Sequence, residues 1–386
     1  MDKRIFWLAV GSFTISTEGF VVSSLLPDIA ADSGISIPLA GYLITAFALA
    51  YALGGPILAT LTGRQERRPV IIWTMAFFVF GSSFETLLGA RVVMALAAGL
   101  FAATAQATAV AMVDGHHRAR AIAVVVAGTT VAVALGAPLG ALIGAAIGWR
   151  GTFMAIAALG TLAGVVLWWR LPRGLSGTPL TLRQRVAGVA RPGVLPMLLT
   201  TLFTLTGAFT VFSYIAPLAM QGAGLSELAL PAVLLAFGVG AVAGNIAGGQ
   251  AADRFGATRT VCWSLALGAA ALIVFSAIPA LPHAYAGPLL VAAMVPWGVI
   301  GWAFPPAQAS RLLAIAPDDA PVVLSLNGSA LYLGVALGSV VGAEVLRVGS
   351  PADLGWVGAL FPLIGLAIVL GAYALRHRSV AVAPAE

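Results

Sequence analysis

The sequence predicts an all-α polytopic membrane protein with twelve transmembrane helices in two pseudo-symmetric six-helix bundles. Of its 386 residues, 60% are hydrophobic and 9% are charged, and the mean hydropathy is +1.01. Apolar stretches of about 20 residues, long enough to cross the hydrocarbon core of a bilayer, recur from end to end. Several residues also recur at an offset of 190 positions between the two halves of the chain. We therefore expect almost the whole chain to lie in lipid.

The form of these stretches excludes two other classes. A β-barrel would show short strands of alternating polarity, whereas these stretches are continuous and rich in Ala, Leu, Val and Gly. The first stretch has no small-residue cleavage site after a short apolar core. We therefore interpret it as a retained span and not as a signal peptide.

The spans and their orientation follow from the apolar stretches and the basic residues. We predict spans one to twelve, in chain order, at residues 5–26, 37–61, 69–84, 87–112, 119–146, 152–170, 194–219, 227–251, 260–280, 285–311, 322–346 and 354–375. Seventeen of the 20 lysines and arginines fall on the side of the N-terminus. The positive-inside rule makes that side cytoplasmic, and an even number of spans returns the C-terminus to it. Both termini are therefore expected in the cytoplasm.

The two halves are predicted to be related domains. Six residues recur 190 positions later: Gly34, Ser36, Ala46, Phe47, Gly54 and Arg64 match Gly224, Ser226, Ala236, Phe237, Gly244 and Arg254. The longest connection is basic and contains three prolines and no acidic residue. We therefore divide the chain into residues 1–171, a cytoplasmic linker at 172–193, and residues 194–386. The linker has two open interpretations, a contact with anionic lipid headgroups and a plain topology anchor.

Glu18 is the residue that points most directly to a function, because it is a carboxylate inside the apolar first span. Such a group at bilayer depth costs at least ~2.5 kcal/mol, so these residues usually face a polar cavity or move ions or protons. A permanently protonated residue that bridges two helices is the alternative. The first interpretation predicts a transporter.

Other functional classes have little support in the sequence. There is no P-loop, no His-Glu-x-x-His zinc motif and no nucleophile elbow, so neither an enzyme, a cofactor nor a metal site is expected. Cys262 is the single cysteine and has no partner for a disulfide. The net charge of +6 lies in short loops, where it indicates topology and not a nucleic-acid partner. A passive channel, a receptor and a membrane enzyme remain as alternatives to a monomeric, ion-driven transporter.

Span five carries the most specific motif, Gly136-Ala137-Pro138-Leu139-Gly140, preceded by Gly128. Glycines at helical spacing permit close backbone approach, and Pro138 bends the helix. With this motif the sequence resembles the major facilitator superfamily over nearly its whole length. Within that family it resembles the twelve-span drug:proton antiporters, including bacterial sugar- and nucleoside-efflux permeases. The resemblance implies that Gly128, Gly136, Pro138 and Gly140 form an antiporter hinge, for which ordinary packing with a kink is the alternative. We expect Gly136 and Gly140 to let span five pack closely against a helix of the opposite half.

The loop after span two carries a second family signature, Gly-x-x-x-Asp-Arg-x-Gly followed by basic residues. The C-terminal copy keeps four of its residues: Gly249, Asp253, Arg254 and Gly256. The N-terminal copy keeps three basic residues: Arg64, Arg67 and Arg68. Gly63 stands there in place of the Asp and Glu66 in place of the second Gly. The resemblance implies cytoplasmic gating loops, whereas simple enforcement of topology is the other interpretation.

Arg91 on span four stands where the family carries a membrane-embedded arginine. An arginine keeps its charge, so it can stabilise the ionised form of a nearby acid. Spans one and four adjoin in the family's fold, and the resemblance therefore implies that Glu18 and Arg91 form a proton-coupling pair. A snorkelling anchor at the membrane interface is the alternative for Arg91.

The resemblance also implies that spans one, four, seven and ten line a substrate cavity. It favours four residues as lining: Gln106, Tyr214, Trp297 and Gln308. Four others are more consistent with structural roles: Asn245, Trp302, Asn327 and Tyr332. The resulting hypothesis is a proton-coupled exporter in a bacterial inner membrane that moves a drug-, sugar- or nucleoside-like solute by alternating access. Its expected partners are the solute, protons and membrane lipid. A uniporter or an uptake symporter of a small metabolite is the alternative.

Overall fold

The computed structural model describes residues 4–62, 83–114, 118–171 and 182–381. Within these ranges the chain is almost entirely helical and contains no strand. Eleven helices in the described ranges are long and apolar enough to cross a membrane, and each coincides with a predicted span. The remaining prediction, span three at 69–84, lies outside the described residues except for its last two positions.

Most spans are single helices. Their bounds are Arg4–Ser33 for span one, Tyr42–Thr62 for span two after a short turn at Ile37–Ala40, Phe84–Ala111 for span four, Trp149–Arg170 for span six, Val194–Phe212 for span seven, Leu230–Phe255 for span eight, Ala257–Ala277 for span nine, His283–Ile315 for span ten, Ala320–Val348 for span eleven and Asp353–Ala381 for span twelve. Span one continues past Pro27, where the prediction ended it. Neighbouring helices in a membrane bundle satisfy the backbone groups that a proline leaves without a partner, so the helix need not stop there.

Span five is interrupted by one wide turn. It consists of an α-helix at Arg118–Val131, a π-helical turn at Ala132–Gly136 and a second α-helix at Ala137–Ile147. The wide turn lies directly before Pro138, which has no N–H to donate and whose ring crowds the carbonyl four residues earlier. A single π turn accommodates this extra space within a helix and is common at functional positions.

The predicted repeat is visible in the backbone of the loops. Gly34 and Gly224 both have a left-handed backbone, with φ of 65° and 70°. Ser36 and Ser226 follow in nearly the same extended conformation, and each precedes a helical turn. Glycine is required at the first position of each loop because a Cβ would be strained there. The residues that recur at an offset of 190 positions thus build the same local structure twice.

Two pairs of spans form the largest contacts between the two halves of the chain, and span one also meets span seven through Phe20, Phe209 and Phe212. The first seam is that between spans two and eleven. Here Ser329 Oγ donates a hydrogen bond to the carbonyl oxygen of Ala52, and Ser339 Oγ donates to that of Gly41, both at 3.0 Å. The second seam is that between spans five and eight, where Gly238 lies so close to the Ala134 backbone that a Cβ at position 238 would overlap it.

The two ends of the bundle differ. At the end that we call the linker face, a short helix at Leu182–Val189 packs against spans two and eleven, and a Cβ on Gly188 would lie 2.6 Å from the Val322 side chain. Arg191 forms an ion pair with Asp319 beside it. At the other end, the opposite face, Arg150 pairs with Asp32 at 2.6 Å and joins spans six and one.

Candidate functional site: a buried ion pair

Glu18 lies in the middle of span one and is 1% exposed. The residues around it are small, with Ser16, Thr17 and Gly19 on either side. Small residues allow neighbouring helices to approach the backbone closely. This stretch of span one packs against span five, and the carboxylate finds its partner on span four.

Arg91 on span four provides the partner. Its Nη1 donates to Glu18 Oε1 in an ion pair, and its Nε donates to the carbonyl oxygen of Leu43 on span two at 3.3 Å. The guanidinium carbon also lies 4.3 Å from the centre of the Phe47 ring. Arg91 is 1% exposed, so in this structure it is not a snorkelling anchor. The pair joins spans one, two and four.

Such a pair is poorly suited to stabilising a fold. The desolvation of two buried charges can exceed their mutual attraction, whereas removal of one partner typically costs about 3–5 kcal/mol because the other charge remains buried and unpaired. The pair is therefore sensitive to any event that neutralises one member. Protonation of the carboxylate would be such an event, because it removes the charge with which Arg91 pairs.

The span-five glycines lie against the same half of the protein and not against the opposite half, so that expectation was wrong. Gly136 faces Thr17 and Gly140 faces Val21, both on span one, and a Cβ on either glycine would overlap its neighbour. Gly128 faces the carbonyl oxygen of Ala9 in the same way. Spacing along span five identifies a close-packing stripe, but the rotation of the helix decides which neighbour that stripe meets.

This packing places the predicted hinge directly behind the charge pair. Ser16 Oγ donates to Thr129 Oγ1 at 3.0 Å, and Thr17, which Gly136 contacts, is the residue before Glu18. The opposite half contacts span five through the π turn, where Gly238 meets Ala134. Span five is therefore packed between the helix that carries Glu18 and a helix of the other half.

Gln308, one of the four predicted cavity residues, belongs to a buried polar network. It is 0% exposed, and its Nε2 donates to the Met197 carbonyl oxygen at 2.7 Å and to Thr201 Oγ1 at 3.1 Å. Its Oε1 accepts from Arg311 Nη1 at 2.8 Å, and Thr201 Oγ1 donates to Asn327 Oδ1 at 2.7 Å. The amide thus joins spans seven, ten and eleven, and both of its ends already have partners.

Trp297 lies in an aromatic cluster within the C-terminal half. It is 3% exposed, and its ring centre is 5.0 Å from those of Phe237 and Phe275 and 6.3 Å from that of Phe212. In the conformation described, the indole is packed against these rings.

The remaining two cavity candidates, Tyr214 and Gln106, lie on different spans. Tyr214 is 0% exposed and lies at the first seam, where its hydroxyl donates to the Ser339 carbonyl oxygen at 2.9 Å and covers Gly41. Gln106 is half-buried on span four, about 22 Å along the helix from Arg91 at 1.5 Å per residue. A role of these four residues in substrate binding stays a prediction.

The loop signature is described only in its C-terminal copy. Gly256 has a φ of 91° and ends span eight, a conformation that favours glycine, and Gly249 faces open space. The Arg254 guanidinium lies 5.2 Å from the Phe255 ring centre. Asp253 is exposed and forms no ion pair with a described residue. The N-terminal candidates Arg64, Arg67 and Arg68 lie outside the described residues.

Sequence reasoning missed one contact beside this site. Tyr51 on span two and Tyr332 on span eleven stack with ring centres 3.7 Å apart and an angle of 22° between the planes. The sequence favours a structural role for Tyr332 and does not single out Tyr51. Both are aromatic residues within apolar spans, but nothing in the sequence pairs one with the other.

Known proteins resemble this chain over nearly its whole length. A family model described as Major Facilitator Superfamily matches residues 8–339. The chain is 34% identical over 371 residues to the inner membrane transport protein YdhP of Escherichia coli (strain K12), covering 94% of this chain and 92% of that protein. It is 31% identical over 400 residues to a chloramphenicol resistance protein of Streptomyces lividans, covering 100% and 99%.

Solved structures share the fold. A bacterial homolog of the human lysosomal transporter Spinster, in an inward-facing and occupied conformation, superposes with a TM-score of 0.70 and covers 96% of both chains at 19% sequence identity. At that identity the likeness concerns the fold alone.

Proposed function

Because this chain belongs to the Major Facilitator Superfamily, we propose that it is a proton-coupled exporter of a small organic solute. The observation that carries the proposal is the buried ion pair of Glu18 and Arg91 inside an apolar bundle. Charged groups at this depth are expensive, and they are found where ions or protons move. A passive facilitator would have no need of such a pair.

In the proposed cycle Glu18 is the proton carrier and Arg91 is its counter-charge. When Glu18 is ionised, Arg91 stabilises it by a charge-assisted hydrogen bond. A proton that arrives from outside the cell neutralises the carboxylate and weakens this bond, and the proton leaves to the cytoplasm when the site faces that side. Export of one solute in the other direction then completes the exchange.

The size of the driving force is adequate for export. One proton moving down a potential of 100 mV releases about 2.3 kcal/mol. A factor of ten in concentration corresponds to about 1.4 kcal/mol, so one-for-one exchange sustains roughly a 50-fold gradient of a neutral solute.

We place the linker face in the cytoplasm and the protein in a bacterial inner membrane. The support is the concentration of basic residues at that face and the printed name of the relative in Escherichia coli, an inner membrane transport protein. In the conformation described, the contacts between spans two and eleven at Gly41 then close the outer side.

Drug-like compounds are the first solutes to test. The printed name of the Streptomyces lividans relative, a chloramphenicol resistance protein, supports export of such compounds. Sugars and nucleosides remain in the panel because the bundle carries amide side chains such as Gln106 as well as aromatic ones. Accumulation and growth inhibition in cells with and without the protein would rank the three classes.

The variant Glu18→Gln tests the coupling role. It keeps the shape of the side chain but cannot release a proton, so we expect uphill export to fall to the level of cells without the protein. Glu344→Gln is the matched control, because Glu344 is half exposed and pairs with Arg347 three residues later. Efflux is measured in vesicles with and without an uncoupler. Undiminished, uncoupler-sensitive export by well-expressed Glu18→Gln would contradict the proposal.

A further inference from the structure

The contact of Tyr51 with Tyr332 lies at the seam between the two halves. Their rings stack at 3.7 Å, and the next residue, Ala52, accepts a hydrogen bond from Ser329 at 3.0 Å. Tyr51 lies near the middle of span two and Tyr332 near the middle of span eleven. Spans two and eleven cannot separate at this depth unless the two rings part.

The same face of span two also contacts the charge pair. Leu43 accepts a hydrogen bond from Arg91, Phe47 lies under the Arg91 guanidinium, and the Phe47 ring centre is 6.3 Å from that of Tyr51. These three residues of span two are spaced four apart, so they form one stripe along the helix. One end of the stripe contacts Arg91 and the other end contacts Tyr332.

We propose that this stripe couples the charge of Glu18 to the seam, with Tyr51 and Tyr332 as the positioning residues that transmit it. The inference rests on the proposed function of Glu18. When Glu18 is ionised, Arg91 is held between that carboxylate and span two, which keeps the stripe in register with span eleven. When Glu18 is neutral, the bond to Arg91 weakens, and Arg91 and Phe47 can shift. The contact of Tyr51 with Tyr332 then changes with the charge of Glu18, and the balance between the two conformations changes with it.

Stacked rings also occur as plain packing, and the chain offers such a pair for comparison. Phe203 on span seven and Phe361 on span twelve stack with an angle of 17° and a ring distance of 6.4 Å. Both belong to the C-terminal half, so their separation is not part of any movement between halves. Loss of this stack should not affect the response to Glu18.

The experiment is a double-mutant cycle on the population of the two conformations. Cys262 is first replaced by serine, and spin labels are placed in pairs across the halves, at Ala31 and Leu228 on the opposite face and at Asp114 and Asp318 on the linker face. Distances are measured in detergent-purified protein at one pH. The variant Glu18→Gln imitates the neutral carboxylate.

We expect Glu18→Gln to change the ratio of the two conformations by about 5-fold or more, the lower end of typical coupling between sites. In a Tyr332→Leu background this change should disappear. It should remain in Tyr332→Phe, which keeps the ring, and in Phe361→Leu. Tyr51→Leu replaces Tyr332→Leu if the latter does not fold, because it removes the same stack from the other half.

Two outcomes would overturn the inference and are distinguishable. If Glu18→Gln shifts the ratio equally with and without the Tyr51–Tyr332 stack, the stripe does not transmit the charge, and the role of Glu18 as proton carrier stands. If Glu18→Gln shifts nothing in the parent and export is also normal, the proposed function falls together with the inference.

Discussion

At the scale of single residues, the identity of the cation in the buried pair is important. The Arg91 guanidinium makes three different contacts at once, with a carboxylate, a backbone carbonyl and an aromatic ring. A planar fork of donors that also stacks on a ring is suited to this, whereas the compact ammonium of lysine is not. Arg91 therefore holds span two as well as Glu18, and its loss should affect more than charge balance.

The variant Arg91→Ala should move the pH optimum of transport upward. The ionised form of Glu18 loses its stabilising partner, so release of the proton requires a more alkaline solution. The folded protein should also lose stability, by about 3–5 kcal/mol at pH values where Glu18 would be charged and less where it is neutral. Transport against pH and thermal unfolding in detergent measure the two effects.

Arg150→Ala is the control, because Arg150 pairs with Asp32 where both side chains are nearly half exposed. An exposed pair contributes only about 0–1 kcal/mol, so the pH optimum should not move. An unchanged pH profile with normal activity in Arg91→Ala would reduce Arg91 to a structural residue.

At the scale of helices, span five connects the charge pair with the opposite half. Its glycines pack against span one next to Glu18, and its π turn packs against span eight. A π turn holds one more residue than an α turn and is frequent at functional sites. The glycine and proline motif of span five thus lies where a change at Glu18 and a change between the halves would both affect it.

Gly136→Val should stop transport without preventing folding. The added side chain meets Thr17, the residue before Glu18, and overpacking of this kind costs about 1–3 kcal/mol. Because the strain falls on the carboxylate's own turn of helix, we expect export to fail even when expression is normal. Gly301→Val on span ten is the control, because a Cβ there has no neighbour within 4 Å among the described residues. Normal efflux by Gly136→Val would show that this contact is packing alone.

At the scale of the whole molecule, a few hydrogen bonds to backbone carbonyl oxygens join the two halves at one end of the bundle. Ser339 donates to the Gly41 carbonyl oxygen and accepts from Tyr214, so three spans of both halves meet at one serine. In the proposed alternating-access cycle this contact forms and breaks, so its strength should be modest. A hydrogen bond contributes about 0.5–1.5 kcal/mol net, which is in the required range.

Ser339→Ala should therefore favour the conformation that is open at the opposite face. Loss of one hydrogen bond predicts a shift of about 2- to 10-fold in the population ratio, since 1.4 kcal/mol is a factor of ten. Spin-label distances between Ala31 and Leu228 measure it. Ser264→Ala removes a similar bond, from Ser264 Oγ to the Ile300 carbonyl oxygen at 2.6 Å, within the C-terminal half, and should leave the ratio unchanged. Equal shifts in both variants would contradict a gating role for Ser339.

The class of the protein, the placement of eleven of its spans and the residue types that carry charge inside them can all be read from the sequence. These features follow from the bilayer, which imposes a length and an apolar composition that can be counted along the chain. The loop glycines Gly34 and Gly224 were also predictable, because the repeat places them at equivalent turns. Glu18 and Arg91 could be paired from the sequence only with the help of a family resemblance.

The direction in which each helix faces depends on the tertiary structure. In a membrane bundle, lipid-facing and buried residues are equally apolar, so hydrophobic periodicity does not fix the rotation of a helix as it does in water. Gly136 therefore faces span one and not the opposite half, and Trp297 and Gln308 are buried among neighbours that the sequence does not indicate. The seam joins residues such as Ala52 and Ser329 that are 277 positions apart. Contacts across that separation depend on how the two halves dock, and no local pattern in either half records it.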